Sequence, residues 1–324
     1  MKTKCLLAPL AFAAALTSIG AVAAETLVLA AIPKSTGGEF WETVAVGARK
    51  AAKDLGVNLK WEGAVTESDV AEQNKIIENL LNSGVKGMAI APLNQKATRR
   101  QVENVVNAGV PVVIFDSAVD GTAHSSYIAT DNKQGGSIGG KELARLIGDK
   151  KGARVLCGRY IQGTGSTEAR AAGFIEAVKA AGFTVAADPY PDTGTIESCK
   201  TTAANTLEKF VKNGALELDG VFACNLYSTI GLASALDDLR KSGIKVNVKF
   251  VGFDTSKRLV EEVQAGKIDA LVAQNPEKMG YLAVETLYKV VKKEKVPAVV
   301  DTGTVLVTKE KLEKDPEVRK LVGL

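Results

Sequence analysis

Four short apolar runs in this chain each stop on a polar residue, and that placement limits the fold more than any other feature. The runs are Leu27–Ile32 before Lys34, Pro111–Phe115 before Asp116, Val221–Cys224 before Asn225, and Lys249–Phe253 before Asp254. A strand buried on both faces reads as a continuous apolar run. In an open parallel α/β sheet, ligands bind in the crevice beyond the carboxyl ends of the strands. Lys34, Asp116, Asn225 and Asp254 are therefore expected to point into such a crevice. Ionised and amide side chains each hydrogen-bond several hydroxyls at once, so the pattern suits a neutral polyhydroxylated ligand, a sugar or polyol.

Strands alternate with helices of 10 to 15 residues in two successive halves, which argues for parallel sheets covered on both faces. The first half reads strand 26–32, helix 41–55, strand 58–61, helix 69–83, strand 87–91, helix 97–108 and strand 110–115. The second reads strand 153–157, helix 168–181, strand 184–187, helix 198–211, strand 220–224, helix 230–242 and strand 246–253. Each half ends on a strand followed by Asp. The expected fold class is α/β, with two similar doubly wound parallel-sheet lobes, a multi-strand hinge and the ligand in the interlobe cleft. Segment 126–131 should carry the chain to the second lobe and 269–274 should carry it back, with a helix at 279–291 in the first lobe and a tail strand at 303–307. The resulting boundaries are 25–129 with 275–302 for the first lobe, and 130–274 with 303–324 for the second.

Residues 1–24 have the pattern of a cleavable export signal. Lys2 and Lys4 precede an almost wholly apolar stretch from Leu6 to Leu16, and Ala21 to Ala24 supply small residues for cleavage. The apolar run falls short of the roughly 20 residues a membrane span needs, so the expectation is a protein released to the periplasm. The 300 residues that remain of 324 exceed what one core covers economically. Without Lys2 and Lys4 the 41 basic residues become 39 against 37 acidic ones, which suggests neither nucleic acid nor an acidic membrane surface as partner. Export leaves Cys157, Cys199 and Cys224, an odd number with no CxxC spacing, and His124 is the sole histidine. A metal site is therefore not expected. Cys157 and Cys224 read as small buried hydrophobes.

Taken together, several motifs resemble the ribose-type periplasmic sugar-binding proteins of ABC importers. These are Phe40-Trp41 at the first helix start, Phe115-Asp116, Ala129-Thr130-Asp131-Asn132, Arg170, Val221-Phe222-Ala223-Cys224-Asn225, Val251-Gly252-Phe253-Asp254 and Val272-Ala273-Gln274. The resemblance runs over essentially the whole chain after the leader. It implies that Phe40 and Trp41 sandwich a sugar ring, and that Asp116 binds ring hydroxyls. Arg170, Asn225, Asp254 and Gln274 would supply the second lobe's polar contacts, and Lys34 the contact at the end of the first strand. It also implies a monomer without cofactor that closes about its hinge on a monosaccharide or polyol and is read by an inner-membrane permease. Three positions depart from the ribose pattern. Ser117 stands where an arginine usually follows the aspartate, Thr193-Gly194-Thr195 replaces an aromatic, and Gly37-Gly38 replaces an asparagine.

Each feature also has an ordinary reading. Two adjacent aromatics lie about 100° apart on a helix, so Phe40 and Trp41 cannot both face one core stripe. Asp116 and Asp254 could be helix N-caps, and Arg170 a surface charge. Lys133 and Glu168 are read as surface charges. The run Gly135-Gly136-Ser137-Ile138-Gly139-Gly140 matches neither phosphate-binding motif and reads as close helix packing. An enzyme is not expected. A Ser-His-Asp arrangement would have to use His124, and Arg170 would keep the candidate glycosidase pair Asp116 and Asp254 ionised. The alternatives are a sensory binding protein serving a chemoreceptor or kinase and, further off, an exported glycoside-acting enzyme.

Overall fold

The computed structural model describes residues 27–324, so the leader assigned to residues 1–24 lies outside the described residues. The first elements are β1 (Val28–Ile32), α1 (Glu39–Leu55), β2 (Asn58–Trp61), α2 (Val70–Asn82), β3 (Met88–Ile90), α3 (Arg99–Asn107), β4 (Val112–Phe115) and β5 (Tyr127–Ala129). The chain continues through α4 (Asn132–Ile147), β6 (Arg154–Gly158), α5 (Gly165–Ala180), β7 (Thr184–Ala187), α6 (Ile196–Glu208), a small hairpin of β8 (Val211–Lys212) and β9 (Ala215–Leu216), and β10 (Gly220–Ala223). It ends with α7 (Leu226–Lys241), β11 (Lys249–Phe253), α8 (Lys257–Gln264), β12 (Ala270–Ala273), α9 (Pro276–Val291), β13 (Val299–Asp301), β14 (Val305–Thr308), α10 (Lys309–Lys314) and α11 (Pro316–Leu321).

Two six-stranded sheets result, in the orders β2-β1-β3-β4-β5-β13 and β7-β6-β10-β11-β12-β14. The central strands pair in parallel, and only β14 runs antiparallel, against β12. Both sheets therefore share one winding, with the strand order reversing beside β1 and beside β6, where a doubly wound sheet opens its crevice. The apolar strand runs are the reason for the layering. Leu29 and Ala31 pack with Trp41, Val44, Met279 and Leu287 under α1 and α9, while Ala30 and Ile32 pack with Ile77, Leu80, Val102 and Val105 under α2 and α3. The second sheet is covered in the same way by α4 and α5 on one face and by α6, α7 and α8 on the other.

The chain passes between lobes three times: after β5, after β12, and between β13 and β14. The crossings are stitched side by side. Thr302 N donates to Ala129 O at 3.0 Å, the Thr130 and Thr302 hydroxyls lie 3.3 Å apart, and Asp131 N donates to an Asp301 carboxylate oxygen at 3.2 Å. Each crossing after a strand hands a helix to the opposite lobe: α4 follows β5 and packs on α5, and α9 follows β12 and packs on α1. The glycine run is explained in part by the first of these contacts: Gly136 and Gly140 face α5, while Gly135 and Gly139 lie against Phe253 and Phe222 of the second sheet. A Cβ on Gly136 would overlap the carbonyl of Arg170, and one on Gly173 that of Lys133. Gly47 and Gly280 play the matching part between α1 and α9, against Glu277 and Val44.

The architecture follows the reading of the sequence, with differences at element ends. Helix α7 begins at Leu226 and not at Ile230, because Asn225 and Ser228 form a reciprocal capping box. Helix α6 stops at Glu208, and Val211 turns away into the hairpin. The amphipathic α8 and the short edge strand β13 were not anticipated.

Candidate ligand-binding cleft

The two strand-end aspartates have the same backbone. Asp116 after β4 has φ +60° and Asp254 after β11 has φ +68°, a region that short polar residues tolerate better than most. Each amide still completes the sheet: Asp116 N donates to Ile128 O on β5 at 3.0 Å, and Asp254 N to Val272 O on β12 at 2.9 Å. The turn into the left-handed region sends both carboxylates into the cleft, where they are nearly inaccessible to solvent. Neither caps the helix that follows it. Ser256 caps α8, and Asp254 instead accepts Leu226 N, the first amide of the neighbouring α7, at 2.8 Å.

Each carboxylate has a cation of its own lobe. Lys34 Nζ lies 2.6 Å from Asp116 Oδ2, with both side chains about 4% exposed. It is thus buried and paired, in contrast to a solvated loop lysine. Arg170 Nη1 lies 3.9 Å from Asp254 Oδ2. Arg170 itself is 2% exposed, which removes the surface-charge reading. Its guanidinium lies 3.9 Å from the centre of the Phe253 ring, donates from Nε to Asn132 Oδ1 at 2.8 Å, and from Nη1 to Cys224 O at 3.1 Å. Gln274 Nε2 donates to Asp254 Oδ1 at 2.7 Å. Asn225 spends its amide oxygen on Ser228 N and the Ser228 hydroxyl, leaving its NH2 group for the cavity. Burial pushes the Asp254 carboxyl above its ordinary range, against the opposing pull of Arg170, Gln274 and the Leu226 amide.

All eight residues read from the sequence, Lys34, Phe40, Trp41, Asp116, Arg170, Asn225, Asp254 and Gln274, line one pocket between the lobes, with Glu67, Ser166, Thr167, Leu226 and Tyr227 completing its wall. Two buried polar atoms of this group, Arg170 Nη2 and Gln274 Oε1, have no hydrogen-bond partner among the described residues, and Asp116 Oδ2 has only the Lys34 ion-pair contact. The lobes are closed upon each other around it. Ser166 of α5 accepts from Lys34 Nζ at 3.1 Å and from Ser117 Oγ at 2.8 Å, Thr164 Oγ1 donates to Leu93 O at 3.2 Å, and Gln95 N donates to Gly163 O at 3.0 Å.

Two expectations need correction. Phe40 and Trp41 are not two plates of a sandwich: their rings are perpendicular, at 89°, with centroids 5.1 Å apart, which leaves no slot for a sugar ring between them. Trp41 also packs edge-on against Phe115 in the first lobe's core, whereas Phe40 touches the cores of both lobes. Glu168 is not a free surface charge. It accepts from Arg159, Tyr190 and Gly163 N, and so holds the loop that carries the interlobe contacts. Glu67, Leu226 and Tyr227 are among the wall residues that went unread in the sequence. Tyr227, one residue into α7, mirrors the aromatic start of α1. Burial pushes its hydroxyl up to about 12.

The sequence profile of the periplasmic binding protein domain matches residues 29–295. The ribose import binding protein RbsB of Escherichia coli strain K12 is 31% identical over 296 residues, which cover 91% of this chain and 95% of that protein. The chain belongs to the ribose-type periplasmic sugar-binding proteins. The D-allose-binding periplasmic protein of the same organism is 28% identical over 306 residues, covering 90% of this chain and 94% of its own. Among solved structures, a carbohydrate transporter solute-binding protein from Agrobacterium radiobacter in complex with D-arabinose is 35% identical with a TM-score of 0.84, over 92% of this chain and 99% of that one. An ABC transporter solute-binding protein from Agrobacterium vitis with bound D-fucose is 29% identical with a TM-score of 0.83, over 91% and 99%. These relatives are binding components of transporters and not enzymes, and the chain is of their kind. No helix among the described residues is long and apolar enough to cross a membrane.

Proposed function

We propose that this protein captures a neutral monosaccharide in the periplasm by closing its two lobes around it, and delivers the closed complex to the permease of an ABC importer. The observation that carries this reading is the set of polar atoms converging from both lobes on one interlobe pocket, with donor and acceptor capacity left over at Arg170, Asn225, Gln274 and Asp116. A polyhydroxylated ring offers both donors and acceptors to such a set. The aromatic edges and faces of Phe40, Trp41 and Tyr227 suit its CH surfaces. Because Lys34 and Arg170 already face carboxylates, the cleft offers no unpaired cation to an anionic ligand.

Relatives that carry ribose, D-arabinose, D-allose or D-fucose make aldoses and their deoxy forms the first candidates. The proposed site residues are the eight named above, and the working form is a monomer. Titrating protein stripped of ligand by unfolding and refolding against a panel of pentoses, hexoses and polyols tests this. One-to-one binding of a member recovered unchanged supports the proposal, whereas a folded protein that binds none, or that converts one to product, overturns it.

A further inference from the structure

Three carboxyl groups but only two cations line the cleft. Asp116 has Lys34 and Asp254 has Arg170, while among the described residues no lysine, arginine or histidine nitrogen lies within ion-pair distance of Glu67. Glu67 is 9% exposed; its Oε1 accepts the Trp41 indole N–H at 2.7 Å, and the Tyr160 hydroxyl, which donates to Gly194 O, lies beside the carboxyl. Its loop is fixed. Thr36 N donates to Ala64 O, Val65 N to Glu72 Oε2, and Asp69 caps α2. The groups facing Glu67 come from both lobes: Lys34 after β1 and Asp116 after β4 from its own, and Asp254, Tyr160, Tyr227 and Cys199 from the other.

An unpaired ionised carboxylate in such a setting is costly, and the group relieves the cost by taking up a proton. We propose that Glu67 is a ligand-reading residue of this cleft and acts as an uncharged carboxylic acid, one oxygen held by Trp41 and the other turned to a hydroxyl of the bound sugar. The inference rests on the sugar-binding reading above and adds to it a residue and a protonation state. Burial, the largest influence, raises the Glu67 pKa above its ordinary value, and Lys34 and the Trp41 bond oppose it only in part.

The pH dependence follows from the closing of the lobes. In the open protein the cover supplied by Tyr160, Tyr227 and Asp254 is withdrawn, and the Glu67 pKa falls back toward its ordinary value. In the closed protein its pKa is raised. The gain in affinity from the neutral acid is therefore complete below the open-form pKa and is lost as pH rises through the closed-form pKa, at up to about tenfold per pH unit. Binding within that window takes up a proton.

Calorimetric titrations with the sugar identified from the panel, over roughly pH 5 to 8, compare the wild type with Glu67→Gln and Glu67→Ala. Glutamine keeps an acceptor for Trp41 and mimics the neutral acid. Glu67→Gln is expected to match the wild type's low-pH affinity and to lack its decline with pH. Glu67→Ala is expected to bind about tenfold more weakly or worse throughout. Asp254, whose pKa burial also raises, is present in every variant, so the difference between profiles isolates Glu67. A Glu67→Gln protein with the wild-type pH profile, or one weakened as much as Glu67→Ala, overturns the inference while leaving sugar binding intact. A wild type that binds no sugar overturns the sugar reading itself, and this inference with it.

Discussion

At the scale of single residues, the cleft is a set of buried charges made tolerable by partners in the same lobe. Lys34 and Asp116 are the clearest pair, because both leave water almost completely. Breaking a buried pair from one side costs about 3–5 kcal/mol, chiefly through the charge left behind. Lys34→Met is therefore expected to lower the melting temperature, and by more with sugar bound, since closure removes the water that would otherwise hydrate Asp116. The double variant Lys34→Met/Asp116→Asn should recover part of that loss in a thermal-unfolding comparison; strictly additive losses would mean that the two residues do not act as a pair. The residues at the ends of apolar runs were legible in the sequence because a strand-to-loop boundary is a strong signal. Glu67 was not, because it lies in the polar loop Val65–Asp69, which has no periodicity and no strand end to mark it. The relative orientation of the Phe40 and Trp41 rings depends on Phe115 and on the opposite lobe, neither of which is adjacent in the chain.

At the scale of elements, the same side chain can build a helix and face the ligand, and the two roles separate by substitution. Asn225 caps α7 through its amide oxygen and leaves its NH2 group to the cavity. Asn225→Ser keeps an N-cap acceptor without adding a charge to the cleft and removes the amide donor, so it should leave thermal stability nearly unchanged while weakening sugar binding. Asn225→Ala should weaken binding and also cost about 1 kcal/mol of stability through the lost cap. If both variants lose stability and affinity in the same proportion by urea unfolding and calorimetry, the division of roles is wrong. Reading Asn225 only as a strand-end ligand hid its capping box, which is why the expected start of α7 fell four residues late. The glycine run in α4, by contrast, was legible, because six residues with four glycines are too costly in a helix without a close neighbour to require them.

At the scale of the whole molecule, affinity depends on how readily the lobes close as well as on what they touch. Ser117 shows the distinction. It lies outside the cavity wall, yet its hydroxyl both donates to Ser166 Oγ at 2.8 Å and accepts from Ser166 N at 3.1 Å across the lobes. At the position where the resemblance to the ribose pattern implies an arginine, this chain has an interlobe contact. A net hydrogen bond contributes about 0.5–1.5 kcal/mol, so Ser117→Ala should weaken sugar binding about 2- to 10-fold by biasing the protein toward its open form. An unchanged dissociation constant would show that the contact does not favour closure. The two-lobe architecture was legible because the order of strands and helices repeats, whereas the interlobe contacts were not, since they join loops far apart in the chain.

The central claim is that a sugar held between the lobes is what closes them. Small-angle X-ray scattering of the refolded, ligand-stripped protein, with and without the sugar that binds it, tests this most directly. The account predicts that the radius of gyration falls on adding the sugar and that the bound curve matches the closed structure. Scattering that is the same with and without saturating sugar would contradict it.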